Sequence, residues 1–129
     1  MKRYLLRIEL NEVNPALWRR FIVPAHLSLD RLHDVIQIIM GWSDCHLYEF
    51  EIGKKCYTIS PEEGDTSLDA ARYALDELVK KKGLTFSYRY DLGESWDHTL
   101  TLEQVLKENE PVAELGEESM VNCYLQHGG

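Results

Sequence analysis

The chain has 129 residues, 44% of them hydrophobic, and a formal net charge of −8. This length predicts one domain spanning 1–129, and no run approaches the roughly 18 apolar residues that a membrane span needs. Charges interrupt the amino-terminal apolar residues where a signal peptide would not, and three cysteines without a Cys-x-x-Cys pair fit a reducing compartment. We therefore expect a soluble, cytoplasmic protein with no membrane partner.

The net charge is concentrated at the carboxyl end. Residues 1–90 contain 13 acidic and 13 basic side chains, whereas residues 91–129 contain 9 acidic side chains and only Lys107 as a basic one. Nucleic-acid binders usually carry a basic stripe, so nucleic acid is an unexpected partner. Residues 108–129 show no clear period, and we expect an acidic, less ordered tail there.

The first third of the chain predicts a hairpin followed by a helix. Residues 3–10 alternate apolar and polar side chains, as a half-buried strand does, and residues 17–23 form a second short run. The connection is too short for a crossover, so the two strands should be antiparallel. Ser28 is a candidate N-cap and Gly41 a stop signal, and the intervening residues are apolar at helical spacing.

The remaining elements follow the same two periods. Residues 46–52 alternate and Gly53-Lys54 turns them into a strand over 55–59, while residues 68–79 are spaced as a second amphipathic helix. Residues 84–90 and 96–102 predict a third hairpin, and a short helix to Lys107 would follow. Hairpins alternating with helices indicate an α+β fold, a largely antiparallel sheet with two main helices packed on one face.

Three histidines, His33, His46 and His98, fall on predicted inward faces. Three neutral imidazoles converging on one point could hold zinc or another divalent metal, with an open position for water in a catalytic site. None of them has the short spacing of a zinc motif such as His-Glu-x-x-His. A buried histidine that is hydrogen-bonded to a backbone carbonyl, tyrosine or carboxylate is the alternative.

Large amphipathic rings and arginines supply a second set of candidate residues. Surfaces rich in Trp, Tyr and Arg are typical of binding hot spots. Arg19 and Arg20 lie on opposite faces of one strand, so one should point to the core side or a cleft, where it needs a carboxylate such as Asp91 or Asp97, or an anionic ligand. The candidate ligand-binding residues are Trp18, Arg19, Arg20, Trp42, Tyr90, Asp91 and Trp96.

These residues, taken in order, resemble the plasmid pRiA4b ORF-3-like family over about residues 4 to 105. The positions that carry the resemblance are Trp18, Arg19, Arg20, His33, Gly41, Trp42, His46, Tyr90, Asp91, Gly93, Trp96 and His98. The resemblance implies a small α+β protein of bacteria or archaea. Some members are called resolvases, but no helix-turn-helix segment is recognisable in this sequence and its acidic end opposes DNA binding.

The sequence favours a non-enzymatic binding or interaction module with an aromatic, Arg- and His-lined cleft, for an unknown protein or small-molecule ligand. It contains no phosphate-cradling glycine loop, nucleophile elbow or cysteine paired locally with histidine. A metal-dependent hydrolase or nuclease that uses the three histidines with Asp91 or Asp97 is the alternative. A third hypothesis is an adaptor that presents its acidic tail to a basic partner.

Overall fold

The computed structural model describes residues 2–12, 17–43, 46–62, 64, 66–91 and 96–111, and the backbone of residues 121–123. Two α-helices, α1 (Leu29–Met40) and α2 (Leu75–Leu78), and a 3₁₀ turn, Ala70–Arg72, lie in this part of the chain. The strands are β1 (Arg3–Leu10), β2 (Leu17–Pro24), β3 (Tyr48–Ile52), β4 (Lys55–Thr58), β5 (Leu68–Asp69), β6 (Thr85–Tyr90), β7 (Trp96–Leu106) and β8 (Val121–Cys123).

All eight strands belong to one sheet with the order β5-β4-β3-β6-β7-β1-β2-β8. The three predicted hairpins are confirmed as antiparallel pairs, β1 with β2, β3 with β4, and β6 with β7. The two outermost junctions, β4 with β5 and β2 with β8, are parallel, so the sheet is mixed. Strand β1 lies between β7 and β2, so β2 is not adjacent to the third hairpin.

The core lies between one face of this sheet and α1. Leu29, Leu32 and Ile36 of the helix are fully buried against sheet residues such as Phe50 and Leu100. Their spacing of three and four places them on one stripe of the helix, as the sequence indicated. The helix ends at Gly41, which has a φ of 74° and donates its backbone N–H to Ile38, the left-handed cap that glycine adopts without strain.

The predicted α+β fold with two main helices is wrong, because the second helix does not form over residues 68–79. Leu68 and Asp69 pair with β4 instead, and the chain then makes the 3₁₀ turn before the single turn of α2. Backbone groups in between bond outside the segment: Tyr73 accepts from the N–H of Leu29, and Leu75 donates to Leu27. These pairings replace the i→i−4 bonds of a helix, and the fold is therefore mostly sheet.

Strand β7 continues to Leu106, where a short helix was expected. Leu5 opposes Gln104 whereas Leu6 opposes Leu102, so Glu103 is the extra residue of a β-bulge. The bulge reverses the alternation of inward and outward side chains after Glu103. The last residues of the strand therefore do not continue the alternating pattern by which the sequence predicts a strand. Within the described residues, no helix combines the length and the apolar character required to cross a lipid bilayer.

Candidate functional site

A polar cluster inside the core explains the inward position of His33. His33 and Gln37 lie one turn apart on the buried stripe of α1, and both reach the hydroxyl of Tyr88 on β6. The distances to that hydroxyl are 2.7 Å from Nδ1 of His33 and 3.0 Å from Nε2 of Gln37. The ring of His33 also stacks on Tyr48, with centroids 3.8 Å apart. These hydrogen bonds join helix to sheet.

His98 is also buried, as predicted, and is completely inaccessible to solvent. Its Nδ1 lies 3.2 Å from the backbone carbonyl oxygen of Tyr88. A carbonyl can only accept, so Nδ1 carries the proton and Nε2 carries a lone pair, for which the described residues provide no hydrogen-bond partner. Burial lowers the pKa of His98, and hydrogen bonds to the carbonyls of Tyr88 and Trp96 oppose that effect only in part. Burial therefore favours the neutral form of the ring.

The prediction that His46 faces inward is wrong. The strand begins at Tyr48, two residues later, and the side chain of His46 is 53% exposed. No group of three His, Cys, Asp or Glu side chains within the described ranges is placed to hold a metal ion. Asp44, Cys45 and Glu94 lie outside those ranges. A zinc site built on His33, His46 and His98 stays a prediction, and no metal-ligand group among the described residues supports it.

An open aromatic cleft lies where α1 ends and the β6–β7 hairpin turns. Trp42 directly follows the helix cap and stacks on Tyr90, with ring centroids 4.7 Å apart and planes 16° from parallel. Trp96, opposite Tyr90 in the hairpin, lies 6.5 Å from Trp42 at a tilt of 44°. Trp96 is 44% exposed. The cleft has a volume of about 250 Å³.

Asp91 and His46 complete the described wall of this cleft, together with Gly41 and Ser43. Asp91 has a φ of 59°, a conformation that aspartate tolerates better than most residues, and its backbone N–H donates to the carbonyl of Leu47. The Asp91 side chain is 18% exposed, and its Oδ2 lies 3.6 Å from Nε2 of His46. Tyr90 contacts the edge of the His46 ring. The sequence-predicted Trp42, Tyr90, Asp91 and Trp96 therefore meet at one site.

His46 also borders a larger groove of about 530 Å³ beside α1. The groove has Asp30 and Asp34 on the helix side, and the exposed side chains of Leu47 and Ile59 on the other. The sequence analysis missed these four residues. Asp30 and Asp34 are spaced i, i+4 and so share a helix face, but only the tertiary fold places that face beside β3.

Trp18, Arg19 and Arg20 do not line the aromatic cleft, although they were expected to do so. The ring of Trp18 lies between two guanidinium groups, with Cζ of Arg7 at 4.5 Å and Cζ of Arg20 at 4.8 Å from its centroid. Nε of Arg20 bonds Oε1 of Glu103 at 2.6 Å. Arg19 is exposed on strand β2.

The carboxylates proposed for these arginines have other neighbours. Asp97 bonds Nε of Arg89 at 2.8 Å across the third hairpin. Asp91 lies in the aromatic cleft. The arginine pairing predicted from the sequence is therefore replaced by Arg20 with Glu103 and Arg89 with Asp97.

The acidic tail can be located only in part. Arg3 donates to the backbone carbonyl oxygens of Lys107 and Glu110, which fastens the chain as it leaves β7. Residues 112–120 and 124–129 lie outside the described residues, and so does Gly93. Strand β8 between those two stretches pairs with β2.

Comparison with known proteins identifies a family and similar proteins. The family model described as "Plasmid pRiA4b ORF-3-like protein" matches residues 2–121. An uncharacterized protein, y4hQ, of Sinorhizobium fredii (strain NBRC 101917 / NGR234) is 40% identical over 101 residues, 77% of this chain and 52% of its own. The crystal structure of a protein of unknown function, MM3350, from Methanosarcina mazei Go1 has a TM-score of 0.76 and 28% identity, covering 88% of this chain and 66% of that one.

The chain thus spans about half the length of the relative from Sinorhizobium fredii and slightly less than two thirds of the Methanosarcina structure. Both relatives are uncharacterised, so the likeness supports the fold and the family without assigning a ligand or a reaction.

Proposed function

This chain belongs to the plasmid pRiA4b ORF-3-like family, as its residues predicted, and we propose that it is a non-enzymatic binding module whose site is the aromatic cleft. The ligand-contacting side chains in this proposal are Trp42 and Trp96, supported by Tyr90, with His46 and Asp91 at the polar end. Because the relatives are uncharacterised, the proposal rests on the geometry of the cleft.

The observation that carries it is the exposure of Trp96 inside a concave site. A tryptophan residue that is 44% exposed leaves apolar surface in water, and covering that surface with a ligand is favourable. Trp42 lies beside Trp96 and is itself stacked on Tyr90, so the two tryptophan rings form an ordered surface. Aromatic rings placed in this way supply contact area at little cost in side-chain entropy.

One set of side chains favours a second candidate, a hydrolase. Ser43, His46 and Asp91 bring a hydroxyl, an imidazole and a carboxylate to the same cleft, the residue types of a nucleophilic triad. The 3.6 Å between His46 and Asp91 exceeds the hydrogen bond that normally orients such an imidazole, and we therefore favour binding. Hydrolysis of p-nitrophenyl acetate that is lost in Ser43→Ala would overturn the non-enzymatic proposal.

The binding proposal can be tested through the indole N–H resonances of the three tryptophans, assigned with single Trp→Phe variants. Fragments of aromatic, cationic, anionic and sugar classes are added one at a time to the ¹⁵N-labelled protein. We expect at least one class to shift the Trp42 and Trp96 signals with saturation, while the signal of Trp18, on the distant arginine stack, stays fixed.

Two variants complete this experiment. Trp96→Ala should abolish the saturable shift of Trp42 and cost less than the ~3–5 kcal/mol of a fully buried tryptophan, because the ring is partly exposed. Trp18→Phe, the matched control, should bind as the wild type does. If no fragment class shifts Trp42 and Trp96, or if Trp96→Ala binds unchanged, the aromatic cleft is not the binding site.

A further inference from the structure

The two tryptophan rings that line the cleft restrict its ligand to a few chemical classes. The rings of Trp42 and Trp96 lie 6.5 Å apart, tilted by 44°, and both residues line the same small space. A tryptophan face attracts apolar groups, planar rings and cations, and it is the best of the side-chain rings for a cation. It offers nothing specific to an anion. The charges around the cleft then distinguish between the remaining classes.

The described lining of the cleft and of the neighbouring groove carries three carboxylates and no lysine or arginine. Asp91 is in the cleft, and Asp30 and Asp34 are in the groove on the other side of His46. The arginines that the sequence had placed here lie elsewhere: Arg20 pairs with Glu103, and Arg19 is exposed on β2. Fields of one sign in a concave surface raise the local concentration of the opposite charge. The lining is therefore unfavourable for an anion and favourable for a cation.

The size of the cleft limits how much of a ligand it can take. Drug-sized molecules occupy sites of about 300–1,000 Å³. The cleft, at about 250 Å³, is smaller and fits a single headgroup or the end of one side chain. Its acidic member, Asp91, is largely buried, and a carboxylate shielded from water acts more strongly on a nearby charge than one in bulk solvent.

We propose that the Trp42–Trp96 cleft binds an organic cation, an alkylated ammonium or a guanidinium group, with the charge over the tryptophan faces and near Asp91. The inference rests on the proposed function and adds the chemical class of the ligand. Aromatic rings arranged around a carboxylate are a general solution for recognising quaternary ammonium groups. A guanidinium group would stack flat on Trp96, whereas a trimethylammonium group would contact both rings.

The decisive experiment compares two probes of equal shape, choline and its uncharged carbon analogue 3,3-dimethylbutan-1-ol. Both are titrated into the protein while the indole resonances of Trp42 and Trp96 are followed. We expect choline to bind at least about fivefold more tightly, the ratio that a cation–π contribution of modest size gives. Ethylguanidinium is a second cationic probe, and acetate is the anionic control.

Variants assign the preference to named groups. Asp91→Asn keeps the size of the side chain and removes its charge, so it should lower the ratio of choline to alcohol affinity. Asp76→Asn, on α2 outside the cleft and groove linings, removes the same charge as a matched control and should leave the ratio unchanged. Trp96→Ala should abolish binding of both probes.

The outcomes separate the two proposals. Equal affinities for choline and the alcohol, or tighter binding of acetate, would leave the cleft as a binding site and overturn its preference for cations. An unaltered ratio in Asp91→Asn would overturn the role of Asp91. If none of the fragment classes and none of these probes shifts Trp42 or Trp96, both the binding module and its cation preference fail.

Discussion

Acidification should destabilise this protein through one buried side chain, His98. The ring is inaccessible to solvent, and burial lowers its pKa below the ordinary value of about 6.5. When the pH falls through 6.5, the unfolded chain binds a proton at this histidine more readily than the folded protein does. Stability therefore falls as the pH falls, and the contribution of His98 is constant at higher pH.

The size of the effect follows from that difference in proton binding. If the folded ring took up no proton at all, lowering the pH from well above 6.5 to 5.5 would cost about 1.4 kcal/mol of unfolding free energy, and this is the upper limit of the effect. With an entropy of unfolding near 2.1 cal/mol/K per residue, that limit corresponds to a fall of about 5 °C in the melting temperature.

The assay is thermal unfolding by circular dichroism between pH 7.5 and 5.5 for the wild type and two variants. His98→Asn keeps a donor for the carbonyl of Tyr88 but cannot bind a proton, so its melting temperature should fall less than that of the wild type, by up to about 5 °C. His26→Asn alters an exposed histidine and should follow the wild type. If wild type and His98→Asn show the same pH dependence, the ring is not held neutral by burial.

Two further predictions concern other buried or shielded groups. Tyr88→Phe removes a hydroxyl that has two hydrogen-bonding neighbours, and it should lower the free energy of unfolding, measured in urea, by ~2–4 kcal/mol. The control, Tyr4→Phe, removes one hydrogen bond and should cost ~1 kcal/mol. Equal losses in the two variants would contradict the role of the buried cluster. A hydrogen bond with Glu49 raises the pKa of the Cys56 thiol to about 11. Alkylation of Cys56 by iodoacetamide at pH 8, followed by site-resolved mass spectrometry, should therefore be about 100-fold slower than for a thiol of pKa 9, and faster in Glu49→Gln. An ordinary alkylation rate in the wild type would refute the pKa shift.

The hairpins were predictable because strand alternation and a short turn are local properties. The second helix was not, because the spacing of apolar residues over 68–79 also suits a broken segment whose backbone bonds to residues 25–29. Edge strands β5 and β8 contain two and three residues, too few to show a period, and the partner of β8 is β2, near the other end of the chain.

The candidate site was predictable in part for a similar reason. Trp42, Tyr90 and Trp96 could be recognised as aromatic residues near predicted turns. Trp18 could not be separated from them, because the sequence does not give the strand order, and β1 lies between its strand and β7. His33 and Gln37 are two polar residues on one buried helical stripe. This pattern indicates a shared hydrogen-bond partner, whereas His33 alone was interpreted as a possible metal ligand.

The hydrogen bonds of α1 with Tyr88 also determine where the cleft forms. An apolar helix stripe could slide along an apolar sheet with little change in buried area, but His33 and Gln37 reach one hydroxyl in only one position of the helix. Trp42 follows that helix immediately, bonded through its backbone N–H to Gln37. A slip of one turn would displace Trp42 by about 5.4 Å and break its stack on Tyr90. The buried cluster therefore fixes the position of Trp42 relative to the sheet. Substitution of His33 or Gln37 should change ligand binding in the proposed cleft by displacing Trp42, although Trp42 itself is unaltered.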